Sequence, residues 1–155
     1  MQKPVSSREN GFYVLGMETR TTNALEANPA TAKIGALWGQ VRHESLMESI
    51  SKRMAKGKMF GVYYDYESDE NGAYSLLVGY QVPDLSDVPS GLKGVVIEDS
   101  RYLVFTAEGD MPGALTQTWQ YIWDYFKQPG SKRAFSYDYE VYESYTRVSV
   151  YIAIR

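Results

Sequence analysis

The chain has 155 residues, enough for one domain with a real core. Its 16 Lys+Arg against 19 Asp+Glu give a formal net charge of -3, and no block of five or six like charges occurs, so the footprint of a nucleic-acid binder is absent. With no cysteine there is no disulfide framework, no thiolate metal site and no cysteine nucleophile. The N-terminal stretch lacks the apolar core of a signal peptide and no run is long enough to span a bilayer, so a soluble, cytoplasmic protein is expected, with no membrane partner. The composition is unusual in its rings: 14 Tyr, 3 Trp and 5 Phe. Tyrosine joins a flat apolar ring to a polar tip, which suits half-wet strands or a pocket for flat ligands.

Residues 1–10 are polar and read as a flexible N-terminus. A first strand is expected from Phe12 to Thr19. Polar residues and Pro29 then lead into a helix in which Ile34, Leu37, Trp38 and Val41 recur at helical spacing, a stripe that reads as core. The helical region runs on through Leu46 to Ser51 and into a basic turn from Arg53 to Lys58. Met59–Tyr66 is a strand, Asn71-Gly72 a hairpin turn, and Tyr74–Val82 the return strand. Residues 83–94 carry two prolines and two glycines and read as a connector. The order then repeats. Val95–Ile97 and Tyr102–Ala107 are strand-like, Gly109–Gly113 is a loop leading into a helix, and Leu115, Trp119, Ile122 and Phe126 recur at helical spacing until Pro129-Gly130. Two strands close the chain, Ala134–Glu143 and Val148–Ile154.

The last-but-one strand carries an aromatic and acidic run. Alternation puts Asp138, Glu140 and Tyr142 on one face and Tyr137, Tyr139 and Val141 on the other. One face must handle carboxylates, either as a wet edge or as the lining of a cavity that holds a cation.

The halves can be laid over each other. Tyr13-Val14-Leu15 matches Tyr102-Leu103-Val104, Trp38 matches Trp119, Phe60-Gly61-Val62-Tyr63 matches Tyr139-Glu140-Val141-Tyr142, and Leu76–Val82 matches Val148–Ile154. This is a pseudo-twofold duplication of a β-α-β-β unit, repeat one at about 11–82 and repeat two at about 95–155. An α+β fold of antiparallel sheets follows, with the helices on one side, the other side left to form a ligand cleft between the halves. Gly61 occupies the place of Glu140, so the cleft has one acidic wall.

Taken in order, Leu37-Trp38, Phe60–Tyr66, Leu77–Val82, the Trp119 helix and Tyr139–Tyr142 with the strand that follows resemble the GyrI-like (gyrase-inhibitory-protein-like) effector-binding domains. The resemblance covers about 11–155 and is greatest to standalone cationic drug-binding proteins of integron cassettes; the same domains serve as sensors in multidrug regulators. It implies a lipophilic small-molecule cation as partner, a carboxylate deep among aromatic rings, and no cofactor. The matching carboxylate is Glu140, with Asp138 and Glu143 left to solvent. Ring candidates are Tyr142 on the Glu140 face, Tyr151 opposite the apolar Val148-Val150-Ile152-Ile154 stripe, Trp119 on the inner helix face, Tyr63 as the counterpart of Tyr142, and further Phe105 and Tyr64.

With the sensing fold taking up nearly all of the sequence, no DNA-reading segment is expected, and signalling would need a separate DNA-binding or target protein. A monomer or weak dimer is expected. The alternatives are a GyrI-like hydrolase of electrophilic compounds in which Glu140 activates water, and a protein-inhibitor module. The only histidine, His43, beside Arg42 and Glu44, reads as a solvated surface residue, and no metal-ligand set is present.

Overall fold

A computed structural model describes residues 3–43, 50 and 58–155. Eight strands form one sheet: β1 (Val5–Glu9), β2 (Phe12–Thr21), β3 (Met59–Tyr64), β4 (Tyr74–Val82), β5 (Lys93–Ile97), β6 (Ser100–Glu108), β7 (Asp138–Ser144) and β8 (Arg147–Ala153). Their spatial order is β1-β6-β8-β7-β3-β4-β2-β5, antiparallel throughout. Among the described residues the helices are α1 (Asn23–Glu26), α2 (Ile34–His43) and α3 (Gly113–Lys127), and Ile50 is also helical. No helix among the described residues is long and apolar enough to cross a membrane. The expected helical tail at 44–49 and 51, and the basic turn from Arg53 to residue 57, lie outside the described residues, as does the side chain of His43.

The duplication is present. β2-α2-β3-β4 and β6-α3-β7-β8 are its two copies, and they meet where β3 pairs with β7, with Gly61 opposite Glu140. Because the repeat matches these two residues to each other, the pseudo-twofold axis passes through that pair. Val78 pairs with Gly61 as Val150 pairs with Glu140, so the match of β4 to β8 holds. The match of β2 to β6 shifts by one residue: Leu15 pairs with Tyr80 and Leu103 with Ile152, making Leu15 the counterpart of Leu103.

Within the N-terminal segment, residues 5–9 are not loose. Val5–Glu9 pairs with β6 from Val5↔Val104 to Glu9↔Ser100. The polarity of Ser6, Ser7, Arg8 and Glu9 is that of an edge strand, where charge discourages pairing with other chains. In the same way β5, which leads the second copy, pairs with β2 of the first. Each copy's leading strand closes the edge of the other. The strand expected from Ala134 starts only at Asp138, because Phe135 takes a left-handed backbone (φ 52) and Arg133 makes an isolated bridge to Ile154.

α2 and α3 each cover one flank of the same sheet face. Leu37 and Val41 of α2 pack on Met17, Leu76 and Val78. Ile122 of α3 packs on Leu103, Phe105, Val148, Val150 and Ile152. The opposite face closes on itself: Phe12 of β2 lies 5.2 Å from Tyr139 of β7, although β3 and β4 run between them. Tyr139, Tyr102, Phe60, Val14 and Val62 fill this second core. The face that carries Glu140 is therefore the helix face, where a cavity opens between α2 and α3; the sequence placed the cleft on the opposite face, where a separate cavity, bordered by Phe60, Tyr139, Val141 and Tyr151, also opens.

The curl brings β2 and β4 very close at the facing pair Gly16 and Gly79, where a Cβ on Gly79 would lie 2.0 Å from the Leu15 carbonyl oxygen. Gly79→Ala should lower the urea midpoint by the equivalent of about 1–3 kcal/mol with m unchanged. An unaltered midpoint would mean that the ladder opens at no cost.

Candidate functional site

β7 alternates as expected: Tyr139 and Val141 enter the closed core, while Asp138, Glu140 and Tyr142 point to the helices. Glu140 is only 2 % exposed. Its Oε2 accepts hydrogen bonds from Trp119 Nε1 at 2.7 Å and Tyr63 OH at 3.0 Å, and its Oε1 accepts one from Tyr142 OH. Room for this cluster comes from Gly61, where a Cβ would lie 3.1 Å from Tyr142 OH and 3.2 Å from Glu140 Oε1. Burial raises the Glu140 pKa, and the bonds from Tyr142, Trp119 and Tyr63 pull it part of the way back. Burial, with the Glu140 charge beside them, holds the Tyr63 and Tyr142 phenols well above their ordinary value, so they stay neutral donors.

The duplication also sets the rings around this carboxylate. Trp38 of α2 meets Tyr142 edge-on at 5.1 Å, and Trp119 of α3 meets Tyr63 at 5.4 Å. These pairs are counterparts in the repeat, and each joins one copy's helix to the other copy's central strand. Trp119 thus both packs against the core beneath α3 and donates to Glu140.

A cavity of about 210 Å³ opens beside the cluster on the α3 side. Tyr63, Tyr66, Tyr74, Trp119 and Trp123 form its walls, with Glu26 and Glu70 also lining it. Glu140 does not line the cavity; it stands behind Tyr63 and Trp119. Glu26 is engaged by the Lys33 and Ile34 backbone N–H groups at 2.8 and 3.1 Å. A neighbouring cavity of about 470 Å³ shares Asn23, Glu70, Trp123 and Arg133 with it, and a third, about 450 Å³, lies on the opposite face.

Of the residues singled out in the sequence, the structure brings together Glu140, Tyr142, Trp119 and Tyr63. Tyr151 is on the opposite face, stacked on Tyr139 at 4.6 Å and lining the third cavity. Tyr64 also faces away, its OH donating to Glu18 Oε1 at 2.7 Å. Phe105 is core beneath α3, 5.5 Å from Tyr125. Glu143 is exposed and ion-paired with Lys58 at 2.9 Å.

Asp138 is a correction. Expected in solvent, it is fully buried: Arg133 Nη2 donates to Oδ2 at 2.7 Å, Tyr66 OH to the same oxygen, and Ala153 N–H to Oδ1 at 2.8 Å. Sequence reasoning also missed Tyr66, Tyr74 and Trp123 as cavity walls. Trp123 could have been found, one helical turn after Trp119. Tyr66 could not by parity, because Asp65 adopts a left-handed backbone (φ 52) that breaks the alternation.

A duplicated antiparallel sheet, holding a buried carboxylate among rings between two helices, has the fold of effector-binding proteins. The chain belongs to the Cass2 family of integron-associated effector binding proteins, whose sequence model matches residues 8–154. The structure of integron cassette protein VCH_CASS2 of Vibrio cholerae is similar with a TM-score of 0.86 and 36% identity, over 99% of this chain and 97% of that one. YobU of Bacillus subtilis (strain 168), named as a transcriptional regulator protein, is 29% identical over 148 residues, 90% of each chain. SAV2435 bound to tetraphenylphosphonium shares the fold, with a TM-score of 0.78 and 14% identity over 99% and 94% of the two chains.

Two outcomes follow from the buried acids. Since native Glu140 holds its proton more tightly than the ordinary value of 4.5, the native state binds more protons above that pH and loses stability as pH rises through the window up to the raised value. Urea unfolding over pH should therefore show the stability of wild type falling relative to Glu140→Gln as pH rises from 4.5; a pH-independent difference would contradict it. For Asp138→Ala, the loss should be about 3–5 kcal/mol, since Arg133 is left buried and unpaired. A loss below about 1 kcal/mol would show that water reaches Arg133.

Proposed function

We propose that the protein binds lipophilic, aromatic cations in the cavity between α2 and α3, with Glu140 as the anion that selects for positive charge. One observation carries this reading: Glu140 is a buried carboxylate whose partners among the described residues are all neutral donors. A buried charge without a counter-charge is costly. A cation in the cavity supplies the missing charge through the two rings that separate it from the carboxylate. Hydrogen bonding to the carboxylate through Tyr63 OH and Trp119 Nε1 makes those rings richer in electrons, and a cation over their faces gains roughly 0.5–2 kcal/mol per contact. Stacking on rings demands no single ligand shape, so the reading includes breadth of specificity. The tetraphenylphosphonium complex of SAV2435 is of this ligand class.

Thermal-shift and tryptophan-quenching titrations should show stabilisation and binding by tetraphenylphosphonium, rhodamine and quaternary ammonium dyes, and none by neutral triphenylphosphine oxide. Glu140→Gln should raise Kd for the cations about tenfold, as expected for the loss of 1.4 kcal/mol. Equal binding of cation and neutral analogue, or an unchanged Kd in the variant, sinks the proposal. Turnover of an electrophilic ester that vanishes in Glu140→Gln would instead assign hydrolysis.

A further inference from the structure

The cavity of about 210 Å³ is smaller than the roughly 300–1,000 Å³ that drug-sized ligands occupy, so such a ligand must extend beyond it. The way out along shared walls is the neighbouring cavity of about 470 Å³, because Asn23, Glu70, Trp123 and Arg133 line both. The character of the lining changes there. Lys127, Lys132, Arg133 and Arg155 line the second cavity against one carboxylate, Glu70, with Trp123 and Phe135 as apolar wall.

These cations are placed by backbone structure. The Arg133↔Ile154 bridge and the Arg155 N–H donated to the Lys132 carbonyl at 3.0 Å set Lys132 and Arg155 side by side, with Arg133 next to them in sequence. Arg133 is 8 % exposed, paired with Asp138 and stacked 4.3 Å from the Phe135 ring. Its Nε is buried with no acceptor among the described residues. Buried donors of this kind nearly always have a partner. Lys127 has an exposed contact with Asp124 at 3.6 Å, which holds it only weakly.

We propose that this second cavity is an anion subsite, and that the preferred ligands are aromatic zwitterions: a cationic ring system against Tyr63, Trp119 and Trp123, and a carboxylate or similar anion among Lys132, Arg133 and Arg155. The proposal rests on the cation reading above and adds a second, opposite charge requirement one ring system away. It also makes length a selection rule, since the anion must lie past Trp123.

Rhodamine B and its ethyl ester test this, because they share one cationic ring system and differ in whether the carboxylate is free. Titrated by fluorescence anisotropy, the free acid should bind about fivefold or more tightly than the ester, and 0.5 M salt should shrink that advantage by screening the exposed lysine and arginine. Lys132→Gln/Arg155→Gln changes two exposed side chains; it should weaken the acid to the level of the ester. An acid that binds no better than the ester, or an advantage that survives the double variant, overturns the anion subsite while leaving the cation reading in place. If neither dye binds, the cation reading fails and the subsite with it.

Discussion

The whole arrangement depends on one constraint: a carboxylate sits on the pseudo-twofold axis of a duplicated sheet, and the axis has room for only one. Glu140 and Gly61 face each other in register at the β3–β7 junction. A Cβ at Gly61 would already crowd Glu140 Oε1 and Tyr142 OH. Two full side chains there would collide, and two carboxylates would repel at close range in a poorly solvated place. The duplication supplies a symmetric scaffold, and the asymmetry of this pair leaves a single buried carboxylate at its centre.

Everything around the axis follows the symmetric part. Because the repeat places a tryptophan on each helix and a tyrosine on each central strand, the two edge-on pairs, Trp38 with Tyr142 and Trp119 with Tyr63, arise together. Each pair fastens one copy to the other, as do the exchanged edge strands β1 and β5. The helices are thereby held on the flanks of the sheet with its centre open between them. On the opposite face no helix packs among the described residues, and its rings are buried by curling, which requires the Gly16–Gly79 approach. Cleft and curl are two results of one layout.

Much of this layout was legible in the sequence. Period-two alternation gave the faces of β7 correctly, and the match of Gly61 to Glu140 located the axis before any coordinates. Parity cannot tell which face of the sheet the helices cover, so it does not separate Tyr151 and Tyr64 from Glu140: Tyr151 lies on the other face, stacked on Tyr139 beside the third cavity, and Tyr64 donates to Glu18. The polar composition of Val5–Glu9 did not distinguish an edge strand from a loose end, since both are wetted. Tyr66 and Asp138 were missed for a shared reason. Left-handed residues at Asp65 and Phe135 turn the chain out of its strand pattern, and these turns bring Tyr66 and Arg133 onto Asp138.

The two buried acids of β7 then separate by their partners. Asp138 and Glu140 lie on the same face two residues apart, and neither is solvated. Asp138 has a guanidinium, a phenol and a backbone N–H, which together neutralise it, so it works as a structural clamp behind the cavity wall. Glu140 has a similar number of donors, all neutral among the described residues, so no counter-charge stands against it there. Burial alone does not distinguish the two acids. Their partners do, because Arg133 stands against Asp138, whereas Glu140 has only neutral donors among the described residues and lies behind the rings that border the cavity.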